Sequence, residues 1–317
     1  MTSVTQAPWK QRKVGWIGAG RMGMAMATRL AKAGCDLTVY NRTRAKAEPL
    51  AQHGAKIADR LADLVGCDLV FAIVSTGKDL EGVLVGPDGL FAGGRGPRIV
   101  IDCTTIAIEE SAKLRDALAA RGAQFLAAPV SGNAKVARAG KLSFVASGPR
   151  AVFDEVEPYL AALGQGASYV GDGELSRMVK ICHNVFLGVV IQSLAEITVL
   201  AQKAGVPRHA FLDFMNRSVL GSVFSRYKTP ALVNLDFAVT FTPHLLRKDL
   251  DLGLDAGREL DVPMPLASQV RDLVQALIGN GHADKDFASL ILMQARAAGI
   301  EIAPENVPVD DGLTPSP

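Results

Sequence analysis

Cysteine and histidine are scarce in this chain, and neither is spaced for metal chemistry. Cys35, Cys67, Cys103 and Cys182 lie far apart, with no Cys-x-x-Cys pair, so they read as reduced, small hydrophobic fillers of a cytoplasmic protein. The five histidines show no ligand spacing, and His53, His209 and His282 fall in polar turn regions. No metal is expected. An excess of one charge is also lacking: 34 basic and 32 acidic residues leave a net charge of +2. That balance suggests neither a nucleic-acid surface nor a membrane surface. The basic residues near the start (Lys10, Arg12, Lys13) read as a solvated lead-in, and the first dozen residues carry no apolar signal-peptide core. The most apolar long segment, 185–201, is interrupted by Gln192, Ser193 and Glu196. A buried helix is expected there rather than a membrane span.

What is present is concentrated in Val14–Thr43. An apolar run ending at Ile17 leads into Gly18-Ala19-Gly20-Arg21-Met22-Gly23. Ala25, Met26, Leu30 and Ala31 follow at helical intervals, Gly34 stops the helix, and Leu37–Tyr40 forms a second β-rich run. This is a strand–turn–helix–strand unit with Gly-x-Gly-x-x-Gly spacing, the form of a dinucleotide site. Gly18 would make the tight turn, Gly20 would leave room for pyrophosphate, and Gly23 would let helix and strand pack closely. The helix N-terminus would meet the phosphate charge with free N–H groups.

Beyond Thr43, short apolar runs alternate with helical patterns. A helix is expected over 45–53, strands at Leu69–Val74 and Arg98–Asp102, and helices over 78–84 and 108–121. Further strands are expected at Gln124–Ala128 and Leu142–Ser147. Continuous apolar runs of this kind are buried on both faces, and the alternation predicts an α/β fold with a Rossmann-type, doubly wound, mostly parallel sheet. From Leu175 to Ala204 no turn signal occurs and apolar residues occupy nearly every face. A helix of about thirty residues spans about 45 Å, and one apolar all round is expected to be buried all round, crossing between domains and against a second subunit. The rest is helical in pattern, ending in a proline-rich tail. The expected organisation is a disordered lead-in (1–12), a dinucleotide-binding Rossmann domain (13–173) and an all-α second domain (174–300). The long helix, about 174–204, joins the two, and a disordered tail (301–317) follows.

Ligands on such sheets collect at the carboxyl ends of strands. There the second strand ends in Asn41-Arg42-Thr43 rather than an acidic residue. A guanidinium and a hydroxyl suit the extra phosphate of NADP, because Arg can pair with it and no carboxylate repels it. Arg42 as a plain surface residue is the bland alternative. On the long helix, Lys180 and Asn184 stand four apart and share a face. A buried Lys there would be desolvated toward general acid–base use, whereas a Lys reaching out to solvent would be unremarkable. Pattern alone leaves both open.

Four motifs in order carry a resemblance to the β-hydroxyacid dehydrogenase family, whose members include 3-hydroxyisobutyrate dehydrogenase, tartronate semialdehyde reductase and the glyoxylate/succinic semialdehyde reductases. They are Ile17–Met26, Ala128-Pro129-Val130-Ser131-Gly132, Gly171-Asp172-Gly173 leading to Lys180-Ile181-Cys182-His183-Asn184, and Phe241 with Leu246-Arg247-Lys248-Asp249-Leu250. The resemblance implies an NADP-dependent enzyme that interconverts a small carboxylated aldehyde and its hydroxy acid. It implies Lys180 as general acid/base and Asn184 as its neighbour on substrate. Ser131, with the backbone at Gly132, would hold the substrate carboxylate, Asn133 beside them would meet a further polar group of the substrate, and Lys248 would approach from the second domain toward substrate and cofactor. Gly18, Ala19, Gly20, Arg21, Met22, Gly23, Asn41, Arg42, Thr43, Val74, Ser75 and Thr105 would bind the cofactor. NAD remains possible, and a homodimer or homotetramer is implied. An NAD-dependent 3-hydroxyisobutyrate-type dehydrogenase and a non-catalytic NADP-binding scaffold are the alternatives. Imine reductases share the fold but typically lack the Lys. Ala127, Asn133 and His183 depart from the usual Asp, Gly and Asn of these motifs, which leaves substrate identity open.

Overall fold

The computed structural model describes residues 12–313. Of the expected lead-in only Arg12 falls among them, and residues 314–317 of the expected tail lie outside. The chain divides after Lys180 into two compact units.

In the first unit six strands form one parallel sheet. They are β1 (Lys13–Ile17), β2 (Asp36–Tyr40), β3 (Lys56–Ile57), β4 (Leu69–Ala72), β5 (Ile99–Asp102) and β6 (Gln124–Ala127), in the order β3-β2-β1-β4-β5-β6. The order reverses beside β1, which is the switch point where such sheets collect ligands. The register brings Ile17 opposite both Tyr40 and Ala72, Ala72 opposite Asp102, and Asp102 opposite Ala127. Five strand ends therefore share one edge. β4 and β5 are buried at every position, as their unbroken apolar runs require. Trp16 stacks on Phe71 with ring centroids 5.4 Å apart. Ile17, Val70, Leu80, Leu84, Phe91 and Phe125 belong to one apolar cluster; each such side chain contributes about 1.5–3 kcal/mol by leaving water.

The helices of this unit are α1 (Arg21–Lys32), α2 (Gly77–Val85) and α3 (Ile108–Ala119). α1 buries Gly23, Ala25, Met26, Ala27, Leu30 and Ala31, the face its spacing defines. Two expectations are corrected here. Residues 45–53 form two 3-10 turns, Arg44–Lys46 and Glu48–His53, because Pro49 cannot continue a preceding helical turn. Leu142–Ser147 does not extend the large sheet. Its strand β8 (Leu142–Ala146) is the centre of a second, three-stranded sheet, antiparallel to β7 (Val130–Ser131) and parallel to β9 (Gly164–Tyr169). α4 (Ala134–Arg138) and α5 (Arg150–Leu163) connect these strands.

α6 (Leu175–Lys203) begins in the first unit and runs on into the second, where α7 (Arg208–Arg217), α8 (Val223–Asn234), α9 (Pro243–Glu259), α10 (Pro265–Leu277) and α11 (Leu290–Ala297) follow. α6 is long and apolar enough to cross a membrane, and half of its most apolar stretch is buried inside the protein. The expectation of all-round burial is corrected within this single chain: Leu175, Val179, Cys182, Phe186, Ile197 and Leu200 are exposed. The expected tail is corrected too. Glu305 accepts from the Arg208 and His209 backbone N–H groups at 2.7 and 3.0 Å, and Asn234 Nδ2 donates to Val307 O at 2.8 Å. Prolines excluded helix and strand there without excluding side-chain anchors.

Candidate active site

The glycine turn occupies the shared edge of the sheet, and each glycine is required for a different reason. Gly18 has φ +102°, and a Cβ there would sit 2.1 Å from Ile73 O. A Cβ on Gly23 would sit 2.1 Å from Gly18 O, so α1 meets the turn backbone to backbone. A Cβ on Gly20 would meet nothing within 4 Å; this is open space at the N-cap of α1, which has no side-chain cap. An uncapped helix start beside bare backbone is what a dinucleotide pyrophosphate needs, so the residues present fit the cofactor. Trp16 Nε1 donates to Gly18 O at 2.8 Å and Gly18 N donates to Tyr40 O at 2.9 Å, fixing the turn from below.

At the end of β2, Asn41 is a clamp: Oδ1 accepts from Ala19 N and Nδ2 donates to Thr43 O, both at 2.8 Å. Arg42 is exposed, with Nη1 3.5 Å from Asp79 Oδ1. A carboxylate thus stands beside the residue expected to take the extra phosphate, which composition at Asn41–Thr43 did not reveal. Val74 N donates to Thr104 Oγ1 at 3.1 Å, joining the loops that follow β4 and β5. Ser75 is exposed and Thr105 half-buried on those loops.

Ser131 lies on β7 and is half-buried, and Gly132 has φ +128°. A Cβ on Gly132 would come within 2.7 Å of Leu142 and 2.9 Å of Val136, so the glycine is dictated by packing. Asn133 caps α4: its Oδ1 accepts from Lys135 N and Val136 N at 2.9 and 3.1 Å, leaving Nδ2 buried with no partner.

The start of α6 is held by buried charge. Arg177 is 1% exposed. Its guanidinium donates to Asp102 Oδ2, to Thr104 O and, at 3.1 Å, to Ser111 Oγ. Asp102, fully buried, accepts from Thr104 N at 3.0 Å with its other oxygen. Arg115 ties Glu174 and Gly173 O at 2.7 Å, and Ser147 and Ser176 hydroxyls meet at 2.8 Å. Lys180, one turn beyond Arg177, is 8% exposed, so its stem and ammonium are not simply solvated. Burial, with Asp102 adding to it, pushes the neighbouring Cys103 thiol well above its ordinary pKa. That keeps it neutral and unreactive.

In the second unit, Asn184 Nδ2 donates to Asp249 Oδ2 at 2.6 Å, while its Oδ1 lies 2.9 Å from His183 Nδ1. Lys248 Nζ is 3.1 Å from Asp249 Oδ1. Asp249, 3% exposed, is therefore the hub between α6 and α9. The sequence alone does not single out Asp249, Asp102, Ser111 or Arg177. Asp249 was visible as the acid within Lys-Asp-Leu; Arg177 and Asp102 stand 75 residues apart, and no local pattern links them.

Comparison with known proteins agrees with this architecture. Residues 13–171 match the NAD binding domain of 6-phosphogluconate dehydrogenase, and residues 175–293 match the domain described as NAD-binding of NADP-dependent 3-hydroxyisobutyrate dehydrogenase. The 3-hydroxyisobutyrate dehydrogenase of Pseudomonas aeruginosa is 32% identical over 87% of this chain and 96% of its own length. Glyoxylate/succinic semialdehyde reductase 2, chloroplastic, of Arabidopsis thaliana is 29% identical over 88% of this chain and 78% of its own. The human cytokine-like nuclear factor N-PAC is 30% identical over 88% of this chain, which spans about half (51%) of that relative. The crystal structure of 3-hydroxyisobutyrate dehydrogenase from Salmonella typhimurium superposes with a TM-score of 0.79 at 27% identity, covering 89% of this chain and 99% of that one.

Proposed function

The chain belongs to the β-hydroxyacid dehydrogenase family of NAD(P)-dependent oxidoreductases, and on that premise we propose that it reduces a small carboxylated aldehyde to the matching hydroxy acid with NADPH, using Lys180 as proton donor. The supporting observation is the burial of Lys180 one helical turn from Arg177, whose guanidinium grips the carboxyl-end loop of β5 on the sheet that bears the glycine turn. The nicotinamide supplies a hydride when bound. Lys180 Nζ–H gives its proton to the aldehyde oxygen as the carbonyl carbon is reduced, and takes it back in the oxidative direction. Ser131 and the backbone at Gly132 hold the substrate carboxylate. Asn184, already fixed by Asp249 and His183, keeps the next turn of α6 in register. Arg42 with Thr43 receives the extra phosphate of NADP, and the domain description matched by 175–293 names an NADP-dependent enzyme.

The exposed apolar residues of α6, Leu175, Val179, Phe186, Ile197 and Leu200, follow one another at steps that sum threes and fours and so form one stripe. A second copy of the chain covers it, giving a homodimer or a tetramer built from it. An NAD-linked dehydrogenase is the second reading, favoured by Asp79 beside Arg42. A cofactor-binding scaffold without turnover is a third, since one similar protein is named a cytokine-like nuclear factor rather than a dehydrogenase.

The test is NADPH and NADH consumption with a panel of semialdehydes. Turnover that falls about 10²–10⁴-fold in Lys180→Met, at unchanged NADPH affinity, is expected. No turnover with any panel member, or an unaffected Lys180→Met variant, removes the catalytic assignment.

A further inference from the structure

Arg177 is a costly residue to keep. A guanidinium that is 1% exposed loses its hydration and is retained only where its donors are matched. Here every partner lies at one place, the carboxyl end of β5 and the start of α3. They are Asp102 Oδ2, Thr104 O and Ser111 Oγ. Asp102 in turn orders the loop through Thr104 N, and Thr104 Oγ1 receives Val74 N from the loop after β4. A single side chain of α6 therefore reads the position of two of the loops that flank the glycine turn. Three residues further along the same rigid helix, a rotation of about 300° and a rise of about 4.5 Å, stands Lys180.

We propose that Arg177, through its buried pair with Asp102, is a positioning residue that sets the reach of Lys180 to the reacting carbonyl, a role that rests on the assignment of Lys180 as proton donor. A long helix anchored only by apolar contacts can slide or rotate by a fraction of a turn, because apolar contacts are non-directional. A planar fork with three fixed acceptors cannot. The other polar anchors near the start of α6, Arg115 to Glu174 and Ser147 to Ser176, act before Arg177 and bind the strand ends of β6 and β8 or the turn at 173–174. Arg177 itself ties α6 to the loop at Thr104–Thr105, through Asp102 Oδ2 and Thr104 O. A displacement of about 1 Å at a proton donor costs about 10²-fold in rate while leaving the binding of the reactants intact. Arg177 and Asp102 touch neither substrate nor cofactor in this scheme; they act through Lys180.

Arg177→Lys, Arg177→Met and Asp102→Asn are compared with the full-length protein by three measurements. The first is the single-turnover rate of NADPH oxidation with a substrate from the panel. The second is NADPH affinity by fluorescence together with KM. The third is the rate at which an amine-directed reagent labels Lys180, read by peptide mass spectrometry, which requires no turnover. Arg177→Met is expected to lower the single-turnover rate about 10²-fold, with NADPH affinity and KM within about threefold, and to change the Lys180 labelling rate at least fivefold. Arg177→Lys, which keeps the charge but not the fork, is expected to recover part of the rate. Asp102→Asn is expected to match Arg177→Met within threefold, and the double variant to be no worse than either. If Arg177→Met does not fold, Arg177→Lys and Asp102→Asn carry the same comparison. A single-turnover rate within threefold of wild type, or a loss that appears in NADPH affinity instead of rate, overturns the proposal. If the wild-type protein turns over nothing, the proton-donor assignment fails by itself; the labelling rate of Lys180 then decides whether Arg177 positions it, and an unchanged rate overturns that as well.

Discussion

The glycine turn and the first turns of α6 are held by opposite means. The turn is a matter of space: Gly18 and Gly23 are fixed because a Cβ at either would strike backbone oxygen at 2.1 Å, and its backbone is bonded by the short reach of Asn41 and the indole of Trp16. α6 is a matter of charge, with Arg177 on Asp102 and Arg115 on Glu174. A segment held by shape tolerates salt and pH but no added atom at Gly18 or Gly23. A segment held by buried ions tolerates added atoms better than the loss of one partner.

That contrast is sharpened most by breaking a buried pair away from the proposed chemistry. Lys228 and Asp286, each 2% exposed, pair in the second unit with Lys228 4.1 Å above the Phe287 ring. Asp286→Asn takes the counter-charge from a buried ammonium that keeps its bond to Thr240 Oγ1 at 2.9 Å, and a loss of about 3–5 kcal/mol in unfolding free energy by denaturant titration is expected. Burial alone would raise the Asp286 pKa, but Lys228 and the Ala288 and Thr240 donors bring it below the ordinary carboxylate value. A depressed folded pKa means the stabilisation is complete above the unfolded value and is lost as pH falls through the folded one. The wild type is therefore expected to lose stability on acidification over that range, and the variant to lose less.

Gly18→Val comes next. Positive φ and the clash with Ile73 O together cost about 3 kcal/mol, read as a fall in Tm and loss of NADPH binding. Gly20→Ala is its control: with open space around the new methyl, stability is expected within about 0.5 kcal/mol of wild type, while NADPH affinity falls at least tenfold. If Gly20→Ala binds NADPH normally, the pyrophosphate does not lie there.

These examples also show what was legible in the sequence. Gly18–Gly23, the buried strands and the length of α6 were readable because local sterics and periodicity dictate them. The second sheet was not, since β7 is two residues long and β9 is made mostly of small residues. Charged anchors were invisible for another reason: Asp102 and Arg177 become partners only through folding. Apolar residues on every face of α6 did not say which face this chain covers. At the tail, Glu305 and Val307 find partners on α7 and α8 that composition cannot show.

Smaller effects test the cofactor end. Asn41→Ala removes the clamp on Ala19 N and is expected to cost about 1 kcal/mol in stability, with weakened binding of both NADPH and NADH. Asp79→Asn frees Arg42 from a solvent-exposed pair and removes a charge repelling phosphate. An increase of up to about fivefold in the NADPH-over-NADH preference is expected, the scale of a surface ion pair. A preference that shifts toward NADH would mean that Arg42 does not meet the phosphate.

The most direct measurement is the single-turnover rate of NADPH oxidation by Lys180→Met beside wild type, at saturating aldehyde and at equal NADPH occupancy. A fall of about 10²-fold or more at unchanged NADPH affinity is the expected result. An equal rate in the two proteins would show that the proton comes from elsewhere and that the buried charge at the start of α6 serves only the fold.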